Sequence, residues 1–138
     1  MPTGTPSRRS RWLRRTPAQA GRDGELLAAL LYLLHGYLIV GRDVRTGAGQ
    51  VDLVCRRGRL LVVVEVKRRR RGARVAATHA LSWAQAERLV RAAGVLQRRH
   101  RWATGTRIDV VAIEGWRVRI LRNSVTSERH GRRSTRFP

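Results

Sequence analysis

The apolar positions of this chain fall into seven stretches, and their spacing predicts two helices and five strands. Leu26 to Leu34 is almost unbroken apolar sequence, opened by Gly24-Glu25 and closed by His35-Gly36. The glycine is a natural C-terminal stop, and Asp23 or Glu25 suits the first turn of a helix. Even extended through Val40, the run falls short of the ~18–20 residues that span a bilayer, so the pattern predicts a buried core helix. Tyr37 to Arg42 then reads as a strand, followed by the glycine-rich loop Thr46-Gly47-Ala48-Gly49. Gln50 to Cys55 alternates apolar and polar residues. Leu60 to Lys67 is a valine-rich run better suited to a buried strand than to a helix.

The turn Arg56-Arg57-Gly58-Arg59 joins these last two strands into a hairpin. An even-length loop here sets Asp52 opposite Val63 and Gln50 opposite Glu65, gathering Gln50, Asp52, Glu65 and Lys67 on one face. Arg68 to Leu81 reads as a mobile basic loop. Ser82-Trp83-Ala84-Gln85 matches a capping box and opens a second helix, apolar at Leu89, Val90, Ala93 and Leu96 and basic at Arg88, Arg91 and Arg98. Arg107 to Ile113 is a further strand, and Glu114-Gly115 turns the chain into Trp116 to Leu121. The order α-β-β-β-α-β-β predicts a single α/β domain over 21–123, a mixed sheet flanked by helices. A basic arm (1–20) and a Ser/Arg-rich tail (124–138) are expected to be disordered.

Composition changes this picture in one respect. The 138 residues carry a net charge of +21, and 21–123 alone holds 21 bases against eight acids. A field of that sign attracts polyanions, and nucleic acid is the expected partner. Biased codon use accounts for arginine in place of lysine but not for the excess of bases. The arm carries Arg8-Arg9 and Arg14-Arg15, yet polar sequence follows where an export signal needs an apolar stretch. A cytoplasmic protein without a membrane span is therefore expected. The single cysteine, Cys55, excludes an internal disulfide, and the four scattered histidines show no metal-ligand spacing.

Lys67 is the only lysine among 30 basic residues, and it stands two positions from Glu65 on a strand, hence on the same face. Arginine holds its proton, whereas a lysine can shift its pKa far enough for proton transfer. Two carboxylates ~4 Å apart repel by about 4 kcal/mol at an effective dielectric of 20, a cost a cation between them removes. Oxygen ligands such as Asp52 and Glu65 suit Mg²⁺ or Mn²⁺. An ordinary ion pair between Glu65 and Lys67 at a strand end explains the same residues without any chemistry.

Four blocks decide which expectation to carry forward: Gly21-x-x-Gly24-Glu25, Gly49-Gln50-Val51-Asp52-Leu53-Val54, Val64-Glu65-Val66-Lys67 and Arg107-Ile108-Asp109-Val110-Val111. Together they resemble the YraN-like family of uncharacterised bacterial proteins. That family in turn resembles the PD-(D/E)XK nuclease superfamily, especially the archaeal Holliday-junction resolvases. The resemblance implies a restriction-endonuclease-like fold and Mg²⁺-dependent hydrolysis of phosphodiester bonds in structured or branched DNA. Asp52 and Glu65 would hold the metal, Lys67 would be the catalytic lysine, and Glu25 the acid supplied by the first helix. Resolvase-like cleavage would also favour a homodimer. The chain departs from the family at Gln50, usually Glu, and at Gln85, often basic. Arg68, Arg69, Arg70, Arg71, Arg74, Arg88 and Arg91 are expected to hold the phosphate backbone. Two other readings remain open: a catalytically silent nucleic-acid-binding module of the same fold, and a basic protein-interaction subunit.

Overall fold

A computed structural model describes residues 17–69 and 81–125, with side chains from residue 21 onward. The elements run α1 (Pro17–Leu34), β1 (Leu38–Thr46), β2 (Gly49–Arg57), β3 (Leu60–Arg69), α2 (Trp83–Arg99), β4 (Gly105–Glu114) and β5 (Arg117–Val125). This is the α-β-β-β-α-β-β order read from the sequence. The five strands form one mixed sheet in the order β1-β2-β3-β4-β5. The first three strands are antiparallel, β4 runs parallel to β3 across the α2 connection, and β5 returns antiparallel to β4.

β3 is the middle strand, and Leu61, Val62, Val63 and Val64 are all fully buried because each face has its own cover. Val62 and Val64 meet Ala28, Ala29 and Tyr32 of α1, while Leu61 and Val63 meet Ala86, Leu89 and Leu96 of α2. A strand buried on both faces has no polar side to alternate with, which is why its sequence is a continuous apolar run. Ser82 caps α2 as the sequence predicts: its side chain accepts from the Gln85 N–H, and the Gln85 side chain accepts from the Ser82 N–H.

Six expectations need correction. β3 runs on through Arg68 and Arg69, expected in the basic loop, and β5 reaches Val125, expected in the tail, because both strands keep pairing with β4 there. α1 begins at Pro17, a residue that suits the first helical turn, where its missing N–H costs nothing. β1 extends past Arg42 to Thr46, interrupted by a register shift between Ile39 and Gly41, and only Gly47 and Ala48 form the turn. The β2–β3 turn is Gly58-Arg59, with Gly58 at φ 59°, the conformation that the first residue of a two-residue hairpin turn favours. That choice shifts the expected pairing by two residues: Val54 faces Val63, and the same register carries Asp52 to Glu65. The slip is even, so no side chain changes face. Last, α1 is buried on one side only. Leu26, Leu27, Leu30, Leu33 and Leu34 all face away from the core.

Among the described residues, one carboxylate is fully buried in this core. Asp109 is fully buried and accepts four hydrogen bonds: Tyr32 Oη at 2.7 Å, Arg107 Nε and Nη2 at 2.9 and 2.8 Å, and the Asn123 N–H at 2.9 Å. Arg107 also donates to Tyr37 Oη at 2.9 Å, and the Tyr32 and Tyr37 rings meet edge to face. Burial and the adjacent carboxylate push the Tyr32 phenol well above its ordinary pKa, so it stays a donor. The network ties α1 to β4 and β5. Tyr32→Phe should cost ~1–3 kcal/mol, the worth of a hydrogen bond to a charged group. Asp109→Ala should cost ~3–5 kcal/mol, because it strands a charged Arg107. Urea unfolding checks both: the midpoint should fall with little change in slope, and a near-wild-type midpoint for Asp109→Ala would show that the network adds nothing.

Candidate metal centre

The β2–β3 ladder ends at Leu53–Val64, and the next residue of β2 is Asp52. Its carboxylate occupies the opening between the strands, where Oδ2 accepts the Val66 N–H at 2.7 Å. On the other side, the β1–β2 pairs Arg42–Leu53 and Val44–Val51 bracket Asp43 and Asp52, setting them opposite each other. Asp43 has φ 50°, a left-handed conformation that aspartate tolerates better than most residues, in the part of β1 just past its register shift. Acidic positions thus line up across three strands as Asp43, Asp52 and Glu65, and α1 adds Glu25. One carboxylate oxygen from each of Glu25, Asp43 and Asp52 lies within 4.8 Å of the other two.

Glu65 stands outside that trio but beside it. Its residue is 6% exposed, Lys67 Nζ lies 3.0 Å from Oε1, and Arg88 Nη2 lies 3.6 Å from Oε2. Arg88 reaches over from α2 and also donates to the Gln50 carbonyl at 2.6 Å, its side chain packed against Gly49. Gln50 does not meet Glu65. Its amide donates to Asp43 Oδ1 at 3.3 Å. Two buried carboxylate oxygens, Glu25 Oε2 and Glu65 Oε2, have no hydrogen-bond partner.

Crowding these acids has a measurable consequence. Glu25 is pushed up to about 7, first by burial, then by a hydrogen bond and repulsion from Asp43, with further repulsion from Asp52 and partial relief from Arg42. Asp52 is pushed up to about 6, first by burial and then by the Glu65 charge, with the Val66 N–H and Lys67 pulling the other way. Both shifts disfavour the charged carboxylates, through burial first and like charge second.

The expected metal pair, Asp52 and Glu65, is brought together with Lys67, and Glu25 joins from α1. Asp43 was missed. Its signal was an acid in a strand, but the predicted first strand ended at Arg42, and nothing in the sequence marked the pairing that sets it opposite Asp52. Arg88, expected to contact phosphate, lies 3.6 Å from Glu65 Oε2 and donates to the Gln50 carbonyl. Arg68, Arg69 and Arg91 are exposed, whereas Arg70, Arg71 and Arg74 lie outside the described residues.

A carboxyl whose pKa is raised by folding favours the folded state while both states are protonated and loses that advantage as the unfolded chain ionises first. With Glu25 at about 7 and Asp52 at about 6, stability should fall as pH rises from about 4 to about 7. After allowance for solvent screening, the loss should be ~1–2 kcal/mol. The double variant Glu25→Gln, Asp52→Asn should flatten this part of the profile and unfold later than wild type at pH 8. Chemical denaturation across pH tests it, and an unchanged profile in the double variant would remove these two groups as its source.

Sequence comparison agrees with the four blocks. The profile of the uncharacterised protein family UPF0102 matches residues 24–113, which takes in Glu25, Asp43, Asp52, Glu65, Lys67 and Asp109. A UPF0102 protein of Parvibaculum lavamentivorans is 50% identical over 95 residues, covering 67% of this chain and 70% of the relative. One from Rhizorhabdus wittichii is 43% identical over 98 residues, covering 70% and 81%. Another from Halorhodospira halophila is 34% identical over 116 residues, covering 83% and 93%. The chain belongs to the uncharacterised protein family UPF0102, the family to which the YraN-like resemblance pointed.

Proposed function

We propose that this protein is a nucleic-acid-binding, divalent-metal-dependent endonuclease with a restriction-endonuclease-like core, acting in the cytoplasm on structured or branched DNA. The observation that carries the reading is the meeting of Glu25, Asp43 and Asp52 within 4.8 Å beside the Glu65–Lys67 pair. The donor set fits a hard cation: every ligand is a carboxylate oxygen, and two of the buried oxygens lack a partner. Mg²⁺ or Mn²⁺ would be held by Asp52 with Glu25 and Asp43, and by Glu65 from the β3 side. Such an ion supplies Lewis-acid polarisation of a phosphoryl oxygen and an acidified water.

The chain's own residues do the rest. Glu65 fixes Lys67 through a 3.0 Å ion pair, which orients a compact three-proton donor toward the phosphate or the attacking water. The Val66 N–H holds the Asp52 carboxylate in one orientation. Exposed Arg68 and Arg69, at the end of the same strand, and Arg91 on α2 offer backbone contacts, with Arg70, Arg71 and Arg74 following in sequence. Phosphate contacts of this kind recognise shape more than base sequence.

One observation favours a second reading, a silent binding module. Lys67 and Arg88 already surround Glu65, and Gln50 brings no charge. Incubation of four-way-junction, single-stranded and duplex DNA with Mg²⁺ or Mn²⁺ separates the two. On the nuclease reading, Asp52→Asn and Lys67→Ala lower cleavage by about 100-fold or more, within the range one acid–base or electrostatic group supplies. Both variants should still bind. Equal residual cleavage by wild type and Glu65→Ala, with binding intact, would leave only the binding module. Affinity should drop by ~10³–10⁵ between 50 and 200 mM salt if ~6–10 phosphates are contacted. A flat salt response would count against nucleic acid as the partner.

A further inference from the structure

Charge is unevenly placed in this molecule. Residues 53–64, 88–108 and 115–125 hold no Asp or Glu, and the fold brings parts of all three to the end of the sheet where β2 turns into β3. Among the described residues, Arg107 is the one arginine at this end with an ion pair, and its partner Asp109 is already held by Tyr32 and the Asn123 N–H. Asp52 and Arg57 are five residues apart on β2, about 17 Å, so this end is separate from the carboxylate cluster.

Arginines stand on both faces of the β2–β3 turn and at its tip. On the α2 face, the Arg56 guanidinium lies 4.2 Å from the centre of the Trp102 ring, and Arg56 Nε donates to the Gly58 carbonyl at 2.9 Å. On the α1 face, Arg57 and Arg107 lie 5.3 and 5.6 Å from the centre of the buried Tyr37 ring, and exposed Arg122 adds its charge from β5. Arg59 is exposed at the tip. Burial alone would raise the Tyr37 phenol, yet contacts with Arg107 and Arg57 and the charge of Arg122 hold it below its ordinary pKa. Negative charge is therefore favoured here in spite of burial. Beside Arg122 opens a cavity of about 470 Å³, lined also by Leu31, His35, Val118 and Ile120.

We propose that this end is a second phosphate-binding surface, on which Arg56, Arg57, Arg59 and Arg122 hold a stretch of nucleic-acid backbone apart from the stretch at the carboxylate cluster. Arginine presents a fixed fork of donors to phosphate oxygens, and the Trp102 and Tyr37 rings set the forks of Arg56 and Arg57 in place before binding. Four arginines on two faces and a tip are spread too widely for a single phosphate group, which selects a polyanion over a free nucleotide. At one phosphate per ~3.4 Å along each strand of a duplex, a separation of about 17 Å places this contact roughly five base pairs from the cluster. The inference rests on the nucleic-acid part of the proposed function and not on cleavage.

Binding of the full-length chain to fluorescent duplex DNA, measured in EDTA so that no cleavage intrudes, tests it. The triple variant Arg57→Gln, Arg59→Gln, Arg122→Gln should bind more weakly and with a flatter salt dependence. Three lost contacts at ~0.9 each in the salt slope make the fall in affinity from 50 to 200 mM about 40-fold smaller than in wild type. The variant Arg57→Lys, Arg59→Lys, Arg122→Lys keeps the charges and should recover most of that slope, since lysine still displaces counterions. An equal loss of charge at exposed arginines elsewhere, Arg45→Gln, Arg117→Gln, Arg119→Gln, should leave the slope nearly as in wild type. A matched variant that loses as much as the first would overturn the proposal. So would micromolar binding of thymidine monophosphate that the first variant abolishes, which would mark the cavity beside Arg122 as a mononucleotide pocket. If wild type binds no DNA, the nucleic-acid reading falls together with this inference. If wild type binds and the first variant matches it in affinity and slope, this inference falls alone.

Discussion

The structure turns on like charges held together at the open end of the β2–β3 ladder. Asp52 replaces a ladder partner for Val66 and stands between Asp43 on one neighbouring strand and Glu65 on the other. A fold that only needed stability would avoid this arrangement, since each carboxylate raises the cost of ionising the next. The rest of the molecule is built to hold it rigid. β3 is gripped from both faces by apolar packing, so Glu65 and Lys67 extend from a strand with little freedom to move. α1 is anchored through Tyr32 to the buried Asp109, and the same helix delivers Glu25 to the cluster two turns earlier. α2 contributes Arg88, which braces Glu65 and the Gln50 backbone from the opposite side.

Two charge systems therefore coexist without merging. The Arg107–Asp109 pair is closed: every oxygen of Asp109 has donors, and the pair is matched one to one. The Glu25–Asp43–Asp52 cluster is open, with Glu25 Oε2 left without a partner and the Glu25 and Asp52 pKa values pushed up. The first is a buried pair that fixes the fold. The second is partly exposed, with Asp43 at the surface, and is the site proposed to receive a cation.

Much of this was legible in the sequence because the signals were local. The valine run of β3, the capping box at Ser82 and the turn glycine at position 58 each specify their element through short-range sterics or hydrogen bonds. Glu65 and Lys67 could be placed on one face because strand periodicity is fixed at two. What failed depended on where strands meet. Choosing Gly58-Arg59 as the turn moved Asp52 opposite Glu65, and the register shift in β1 brought in Asp43, which no short-range pattern announces. The leucines of α1 misled in another way. An all-apolar helix is ordinarily buried all round, and a single chain of this size has only one sheet face to offer it.

The central claim is that the crowded carboxylates form a divalent-cation site, and electron paramagnetic resonance of Mn²⁺ addresses it without reference to any substrate. Titrated at pH 8, the wild-type protein should remove Mn²⁺ from the free pool, and Asp52→Asn should not. Wild type that leaves Mn²⁺ free, or Asp52→Asn that binds it as well as wild type does, would contradict the account.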